Sequence, residues 1–187
     1  KGYDEVIKAL PNVVKTMPNV YYIIIGKGAE KEHLKRLVTA LNLENNVEII
    51  DYVSDDILKY YYASCDVYVL MSKTIKKNKG IEGFGISFIE ASFMGKPVIG
   101  GKSGGTCDAI IDGVTGFRIN PSNKKEIANK IILLLKNKEL RKNIGLNGKK
   151  YVLENLTWKH NVTKMIQIFR ELIENMRCSN QDFDIIQ

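Results

Sequence analysis

Two glutamates, Glu82 and Glu90, bracket a glycine-rich turn in the segment Glu82-Gly-Phe-Gly-Ile-Ser-Phe-Ile-Glu90. Gly83 and Gly85 leave backbone N–H groups unhindered just before a helical segment, and a helix N-terminus favours negative charge. The turn is therefore a candidate seat for phosphate. A diphosphate would repel ionised carboxylates, which instead accept hydrogen bonds strongly from hydroxyls. The pattern favours a ligand with a phosphate centre and a diol at each end, which describes a nucleotide sugar.

Both glutamates also have a plainer interpretation. Glu82 would stabilise a helix dipole, worth about 0.3–1 kcal/mol. Glu90 lies on a helix that its neighbours Ile86, Ile89 and Phe93 mark as largely buried, and a buried Glu needs a partner. Because one glutamate is in a loop and the other on a helix, we do not expect them to face each other as an acid/base pair.

Two more glycine turns follow segments that resemble strands. Gly26-Lys-Gly28-Ala comes after residues 20–25, and residues 101–106 come after residues 97–100. The first turn lacks both the third glycine of a dinucleotide fingerprint and the GK[ST] of a P-loop. Glycines that only permit a tight turn are the alternative explanation. Three such turns along one sheet edge favour a shared phosphate-binding rim.

The elements around these turns predict an α/β fold. Short β-branched or aromatic runs alternate with segments of helical period, which is typical of a parallel sheet covered by helices. The runs are apolar on both faces, as central parallel strands must be. The predicted strands are residues 20–25, 47–50, 67–70, 97–100 and 117–119. The predicted helices are residues 3–15, 30–41, 55–63, 86–94, 108–111, 139–153 and 159–176, with one more that begins at a capping box of Asn123 and Glu126.

The fold class that follows is a Rossmann-like parallel sheet with helices on both faces, followed by C-terminal helices. Pro11 predicts a kink or a restart in the first helix. We predict one domain over residues 1–177 and a loose tail over residues 178–187. Ligands of such sheets bind beyond the carboxyl ends of the strands, which is where all three glycine turns lie.

Charge and cysteine content exclude several classes of protein. The net charge is +7, and the densest basic run is Lys73, Lys76, Lys77 and Lys79. No aromatic interleaving, helix-turn-helix or zinc pattern accompanies this run, so a solvated loop is favoured over nucleic-acid binding, with phosphate or membrane attraction as the alternative. Cys65, Cys107 and Cys178 are odd in number and lack CxxC spacing. They argue against disulfides and zinc and favour a reducing cytoplasm.

The motifs together resemble a known family. Glu82-Gly-Phe-Gly with Glu90, Gly95-Lys-Pro-Val-Ile, Gly104-Gly and Asp112-Gly-x-x-Gly-Phe are similar to the C-terminal, donor-binding half of retaining GT-B glycosyltransferases. The similarity is to the family 4-like group, with its bacterial capsule, lipopolysaccharide and mannosyl transferases. It implies one half of a GT-B fold, with an N-terminal acceptor domain outside this chain.

The resemblance implies roles for particular residues. Glu82 would contact the hydroxyls of the transferred sugar, Glu90 would take the ribose hydroxyls, and Lys1 would meet the donor phosphates. Residues 51–53 would lie beside the base. Glu82 and Lys1 are thus the catalytic candidates. The implied donor-binding residues are Gly26, Gly28, Glu82, Gly83, Phe84, Gly85 and Glu90. No metal and no other cofactor is expected.

The implied function is transfer of a sugar from a nucleoside diphosphate sugar to an acceptor glycan or lipid-linked sugar, with retention of configuration, in polysaccharide or glycoconjugate biosynthesis. This chain alone would bind donor without transferring it. Two alternatives stay open: a nucleotide-sugar epimerase of the same fold, and a non-catalytic nucleotide-sugar-binding module. We expect no nucleic-acid partner and a cytoplasmic location. Peripheral contact with the inner face of the membrane, through the N-terminal half, is a further alternative. No apolar run here approaches the roughly 18–20 residues that span a bilayer.

Overall fold

The computed structural model describes residues 1–72 and 84–181 of the chain. Glu82, Gly83 and the basic run of residues 73–79 lie outside the described residues. The strands are β1 (Tyr22–Ile25), β2 (Val47–Ile50), β3 (Tyr68–Leu70), β4 (Val98–Gly101) and β5 (Gly116–Ile119). The helices are α1 (Tyr3–Val14), α2 (Lys31–Ala40), α3 (Asp55–Ser64), α4 (Ile86–Phe93), α5 (Thr106–Ala109), α6 (Lys124–Lys136), α7 (Lys138–Asn155) and α8 (Trp158–Gln181).

Each predicted strand and helix appears within a few residues of its expected bounds, so the α/β alternation is confirmed. The capping box is confirmed as well, because the Asn123 side chain accepts a hydrogen bond from the Glu126 N–H at 3.1 Å. The first helix, however, does not restart at Pro11. It runs unbroken as α1, since Ile7, Leu10 and Val13 are buried on both sides of the proline and their packing offsets the lost backbone hydrogen bond.

All the strand pairs are parallel, but they form two sheets. β1 pairs with β2 in one sheet, and β3, β4 and β5 follow one another in the second. The single sheet that the sequence predicted is therefore divided between β1 and β3. A cavity of about 990 Å³ lies along the division, lined by consecutive residues of both strands.

Helices cover both faces of this arrangement. One buried cluster joins α1, α2 and α6 to Ile24 and Ile99, and a second joins α4 and α5 to Leu70 and Val98. Adjacent residues of β4, Val98 and Ile99, belong to different clusters because successive strand residues point to opposite faces. The result is the predicted Rossmann-like layering, with the helices α6, α7 and α8 following the last strand.

The chain divides into two compact units, Lys1–Lys150 and Tyr151–Gln187. The second contains the end of α7 and all of α8, so residues 178–181 of the segment predicted as a loose tail are helical. The division at residue 177 itself stays a prediction. Within the part of the chain that the structure describes, no helix is both long and apolar enough to cross a membrane.

Candidate functional site

The carboxyl end of β3 is held between two glycines. A Cβ on Gly2 would lie 1.8 Å from the carbonyl oxygen of Met71, and one on Gly101 would lie 2.5 Å from that of Ser72. Met71 and Ser72 are themselves buried. The backbone at Met71 and Ser72 is therefore fixed by close approach on both sides. Lys1 directly precedes Gly2, so the backbone of Lys1 also lies at the carboxyl end of β3.

The next described turn begins α4. Gly85 has a φ of 80° and no side chain caps the helix N-terminus. A Cβ on Gly85 would lie 2.6 Å from the ring of Phe88, which is fully buried. The first backbone N–H groups of a helix have no partner within it. This N-terminus therefore presents backbone N–H groups that have no partner within the helix, and the positive end of a helix dipole, at the carboxyl end of the sheet.

The prediction that Ile86 and Phe93 help to bury α4 is wrong. These two side chains are 67% and 44% exposed, and Glu90 is exposed as well. The inner face of the helix is formed instead by Phe88, Ala91 and Ser92. Those three positions follow the i, i+3, i+4 spacing of one helix face, and this face points Glu90 outward.

Glu90 nevertheless has a partner, which is Tyr62 on α3. The Tyr62 hydroxyl donates a hydrogen bond of 2.8 Å to Glu90 Oε2. Burial raises the pKa of Tyr62 well above its ordinary value, with the neighbouring Tyr68 and Glu90 adding to the shift. Tyr62 is therefore a protonated donor at every physiological pH. Among the described residues, the second oxygen of Glu90, Oε1, accepts no hydrogen bond.

Aromatic packing fixes Tyr62 in turn. The rings of Tyr62 and Tyr68 lie 5.7 Å apart, and Tyr68 meets Phe88 edge to face at 5.6 Å. Phe88 also fills the space beside Gly100, whose Cβ would lie 3.1 Å from its ring. Glu90 is thus linked through the rings of Tyr62 and Tyr68 to Phe88, the buried residue that shapes the turn at Gly85.

The loops after β1 and β2 meet each other. Lys27 Nζ lies 5.8 Å from the ring centroid of Tyr52, and Lys31 donates a hydrogen bond to Asp51. That hydrogen bond, with the nearby lysine charges, lowers the pKa of Asp51. The Tyr52 ring is 70% exposed. An accessible aromatic face beside cationic side chains therefore lies next to the turn that holds Gly26.

Gly26 and Gly28 are unlike the glycines around β3. A Cβ on either would meet no atom within 4 Å. Gly26 has a φ of 145°, which favours glycine, and its N–H donates to the Ile50 carbonyl at 2.9 Å. The turn after β1 is therefore open, and no packing explains Gly28.

The third predicted turn, after β4, is explained by packing. Its helix α5 is only four residues long. The buried Thr106 hydroxyl donates to the Gly101 carbonyl at 2.7 Å and closes the turn on itself. Farther along, packing also requires glycine at position 116, because a Cβ there would lie 2.3 Å from the Val98 carbonyl oxygen.

The structure thus places the predicted residues in two groups. The first group lies on the β3–α4 side and contains Lys1, Phe84, Gly85 and Glu90. The second lies in the turn after β1 and contains Gly26 and Gly28. Sequence reasoning missed Tyr62, Phe88, Gly2 and Gly101. The demand that Glu90 have a partner was the one signal that pointed towards Tyr62.

Within residues 1–72 and 84–181, no group of three or more His, Cys, Asp or Glu side chains could hold a metal ion.

Comparison with known proteins identifies the family of this chain. The profile of the family described as Glycosyl transferases group 1 matches residues 1–151. A GDP-mannose-dependent phosphatidylinositol monomannoside mannosyltransferase of Mycolicibacterium smegmatis is 28% identical over 168 residues, which are 90% of this chain and 44% of that protein. Among solved structures, the Anabaena protein HepE in complex with UDP and glucose is 27% identical, with a TM-score of 0.75, covering 94% of this chain and 45% of that one. The C-terminal domain of the Francisella tularensis group 1 protein LpcC is 25% identical, with a TM-score of 0.72, covering 84% and 80%.

The fold is therefore that of a C-terminal, nucleotide-sugar-binding half of a GT-B enzyme. More particularly, the chain belongs to the group 1 glycosyl transferases. It spans a little under half the length of the mycobacterial and Anabaena relatives.

Proposed function

We propose that this chain binds a nucleoside diphosphate hexose and forms the donor half of a glycosyltransferase that retains the anomeric configuration. The observation that carries the proposal is the Tyr62–Glu90 hydrogen bond beside the open N-terminus of α4. It holds an exposed carboxylate at a set distance from a group of backbone N–H donors. A sugar hydroxyl and a phosphate on one ligand require that combination.

Glu90 supplies the diol contact. Tyr62 donates to Oε2, so Oε1 and the remaining lone pair of Oε2 would accept from ribose hydroxyls. A carboxylate can accept two such bonds, and bonds to an ionised acceptor are roughly twice as strong as neutral ones. Glu90 therefore acts in binding, and Tyr62 acts as its positioning residue.

The diphosphate would meet the N–H groups at the start of α4 and the ammonium of Lys1. Gly2 brings Lys1 to the carboxyl end of β3 by packing on Met71. Charge that develops on the leaving diphosphate would be stabilised by these fixed groups, without a metal ion. Glu82 would contact the transferred sugar, and Lys27 with Tyr52 would flank the base.

The relatives support a hexose donor. The mycobacterial relative is named for GDP-mannose, and the Anabaena neighbour has been solved with UDP-glucose. Both donors are nucleoside diphosphate hexoses. The acceptor, a glycan or a lipid-linked sugar in polysaccharide or glycoconjugate synthesis, would be bound by polypeptide outside this chain. We therefore expect the chain alone to bind donor and not to transfer its sugar.

A thermal-shift panel of UDP, GDP, ADP, CMP and their sugar conjugates tests the proposal. A ligand at about 100 times its dissociation constant adds about 2.7 kcal/mol, which is several degrees for a chain of this size. Glu90→Gln should abolish the shift while leaving the melting temperature of the free protein unchanged, because the carboxylate is exposed. Glu139→Gln, which changes an exposed glutamate at the start of α7, is the matched control and should keep the shift.

Tyr62→Phe sharpens the same test. The variant keeps the ring packing on Tyr68 and removes only the hydroxyl, so donor affinity should fall by about three- to tenfold, the worth of roughly one hydrogen bond. Tyr60→Phe changes an exposed hydroxyl on the same helix and should leave affinity unchanged. A panel in which no nucleotide stabilises the chain, or in which Glu90→Gln binds as tightly as wild type, would contradict the proposal.

A further inference from the structure

The turns after β1 and β2 bring three kinds of side chain to one part of the sheet edge. The Gly26 N–H donates to the Ile50 carbonyl at 2.9 Å, so the two turns run side by side. Asp51 is the first residue after β2, and Lys31 of α2 donates a hydrogen bond to its Oδ1. The next residue, Tyr52, has an exposed ring. A charged acceptor, a cationic donor and a flat aromatic face therefore lie together.

Asp51 is ionised and accessible. Its side chain is half-exposed. The hydrogen bond from Lys31, together with the charges of Lys27 and Lys35, lowers the pKa of its carboxyl. Among the described residues, its second oxygen, Oδ2, accepts no hydrogen bond. Asp51 therefore presents a carboxylate to solvent, with an ammonium fixed beside one of its two oxygens.

Stability does not account for this arrangement. An ion pair between exposed side chains contributes little to the free energy of folding. The turn beside it holds Gly26 and Gly28, and a Cβ on either would meet no atom within 4 Å. The carboxyl ends of parallel strands are the place where such sheets bind ligands. Asp51 and Lys31 therefore stand at the ligand end of the sheet, next to open space.

The nucleobases differ in what they offer to a carboxylate that carries an ammonium. Guanine has an acceptor, O6, next to two donors, the N1–H and the N2 amino group. A carboxylate can accept a pair of adjacent N–H groups, and an ammonium bound to one of its oxygens would lie next to O6. Uracil has one N–H between two carbonyl oxygens, which an ionised carboxylate repels. Adenine and cytosine each have one amino group next to a ring nitrogen without a proton.

We propose that Asp51 and Lys31 select guanine, so that the donor is a GDP-hexose. Asp51 would accept from the N1–H and the N2 amino group, Lys31 would donate to O6, and Tyr52 would stack on the base. This inference rests on the proposed function, which assigns phosphate and ribose to the α4 side and leaves the base to the turns after β1 and β2. The relatives do not decide the base, because one is named for GDP-mannose and another was solved with UDP-glucose.

Stacking and hydrogen bonding to the base edge act differently on affinity. Every base has a flat face, so stacking on an aromatic ring tolerates any base. Tyr52 should therefore strengthen the binding of all nucleotides. A wrong base, in contrast, leaves the carboxylate of Asp51 without its donors or facing a carbonyl oxygen, which costs affinity. Asp51 and Lys31 therefore set the ratio of affinities between nucleotides, and Tyr52 sets their overall level.

Titration calorimetry of the full-length polypeptide with GDP, IDP, UDP and ADP tests the assignment. GDP should bind at least about tenfold more tightly than UDP or ADP, the worth of one hydrogen bond to a charged group. IDP keeps O6 and the N1–H and lacks only the N2 amino group, so its affinity should lie between those of GDP and UDP. UDP binding as tight as GDP binding would overturn the inference and leave the proposed function standing. Binding of none of the four nucleotides would overturn both.

Asp51→Asn locates the source of the preference. The amide keeps the size of the side chain and removes the charge and one acceptor, so GDP affinity should fall by about tenfold or more while UDP affinity stays within about twofold. Glu32→Gln is the matched control, because Glu32 forms another exposed ion pair, with Lys35, on the helix that carries Lys31. It should change neither affinity. Equal losses for GDP and UDP in Asp51→Asn would contradict the inference, since they would place Asp51 at the ribose or in a structural role.

Tyr52→Leu separates stacking from recognition of the base edge. It should weaken GDP and UDP together, by about fivefold or more, and leave the ratio of their affinities close to that of the wild type. Tyr60→Leu changes an exposed tyrosine of α3 and should leave both affinities unchanged. A change in the ratio as large as that of Asp51→Asn would count against the carboxylate as the selective group.

Discussion

The two sides of the candidate site use glycine for different reasons. Around the end of β3, a Cβ on Gly2, Gly85 or Gly101 would lie 1.8, 2.6 or 2.5 Å from another atom of the protein. In the turn after β1, a Cβ on Gly26 or Gly28 would meet nothing within 4 Å. The first side is a packed scaffold whose glycines let backbones approach. The second side has open space beside its glycines.

A glycine motif in a sequence therefore carries two kinds of information. Gly85 and Gly28 look alike in the sequence, since each stands just before a helix. Gly85 is required by the ring of Phe88, whereas Gly28 has no neighbour that requires a glycine. A substitution at Gly85 should therefore lower the free energy of unfolding, whereas one at Gly28 should act mainly on ligand affinity.

Among Gly101→Ala, Gly85→Ala and Gly28→Ala, the largest effect is expected for Gly101→Ala. The new methyl group would meet the Ser72 carbonyl oxygen at 2.5 Å and the Pro121 ring at 2.8 Å, and a backbone atom cannot rotate away. We expect a loss of about 3 kcal/mol in the free energy of unfolding, at the upper end of overpacking penalties. Urea denaturation measures this loss, provided that the variant and the wild type have the same m-value.

Gly101→Ala also tests whether the clamp on Met71 and Ser72 supports donor binding. If it does, donor affinity falls in protein that is still folded, at temperatures well below the transition. A variant that loses stability yet binds donor at wild-type affinity would show that the clamp is structural only.

A smaller loss, about 2–3 kcal/mol, is expected for Gly85→Ala. Two costs add there: a φ of 80° and an approach of 2.6 Å to the Phe88 ring. Gly95→Ala is the matched control, because Gly95 has a φ of 73° and open space around its Cβ. It carries only the backbone cost, about 1 kcal/mol. The difference between the two variants measures the contact with Phe88, and equal losses would mean that the ring moves aside freely.

The sequence predicted the elements well because hydrophobic period and glycine turns are local signals. The strand ahead of Gly26 and the helix after Gly85 both appear where the pattern placed them. The sequence did not predict which face of α4 is buried. Ile86, Phe88, Ile89 and Phe93 are all apolar, so the helix has no clear polar face, and tertiary packing chose Phe88.

The missed site residues share a physical cause. Tyr62 reaches Glu90 from a helix 28 positions away in the chain, and no local pattern encodes a contact at that separation. Gly2 and Gly101 matter because their backbones approach Met71 and Ser72. Such an approach depends on how the strands pair, which the sequence predicted only as a single undivided sheet.

The smallest effect on stability, and the most informative for binding, is expected for Gly28→Ala. Its φ lies outside the left-handed region and its Cβ would meet open space, so the free energy of unfolding should stay constant or rise by up to about 1 kcal/mol, because alanine restricts the unfolded chain. If the turn cradles the donor by close backbone approach, the same methyl group should weaken nucleotide binding by about tenfold or more. Gly113→Ala, in a turn distant from the site with a φ of 76° and open space, should show the reverse: lower stability and unchanged affinity. Unchanged affinity in Gly28→Ala would remove this turn from the binding site and leave the β3–α4 side to hold the ligand.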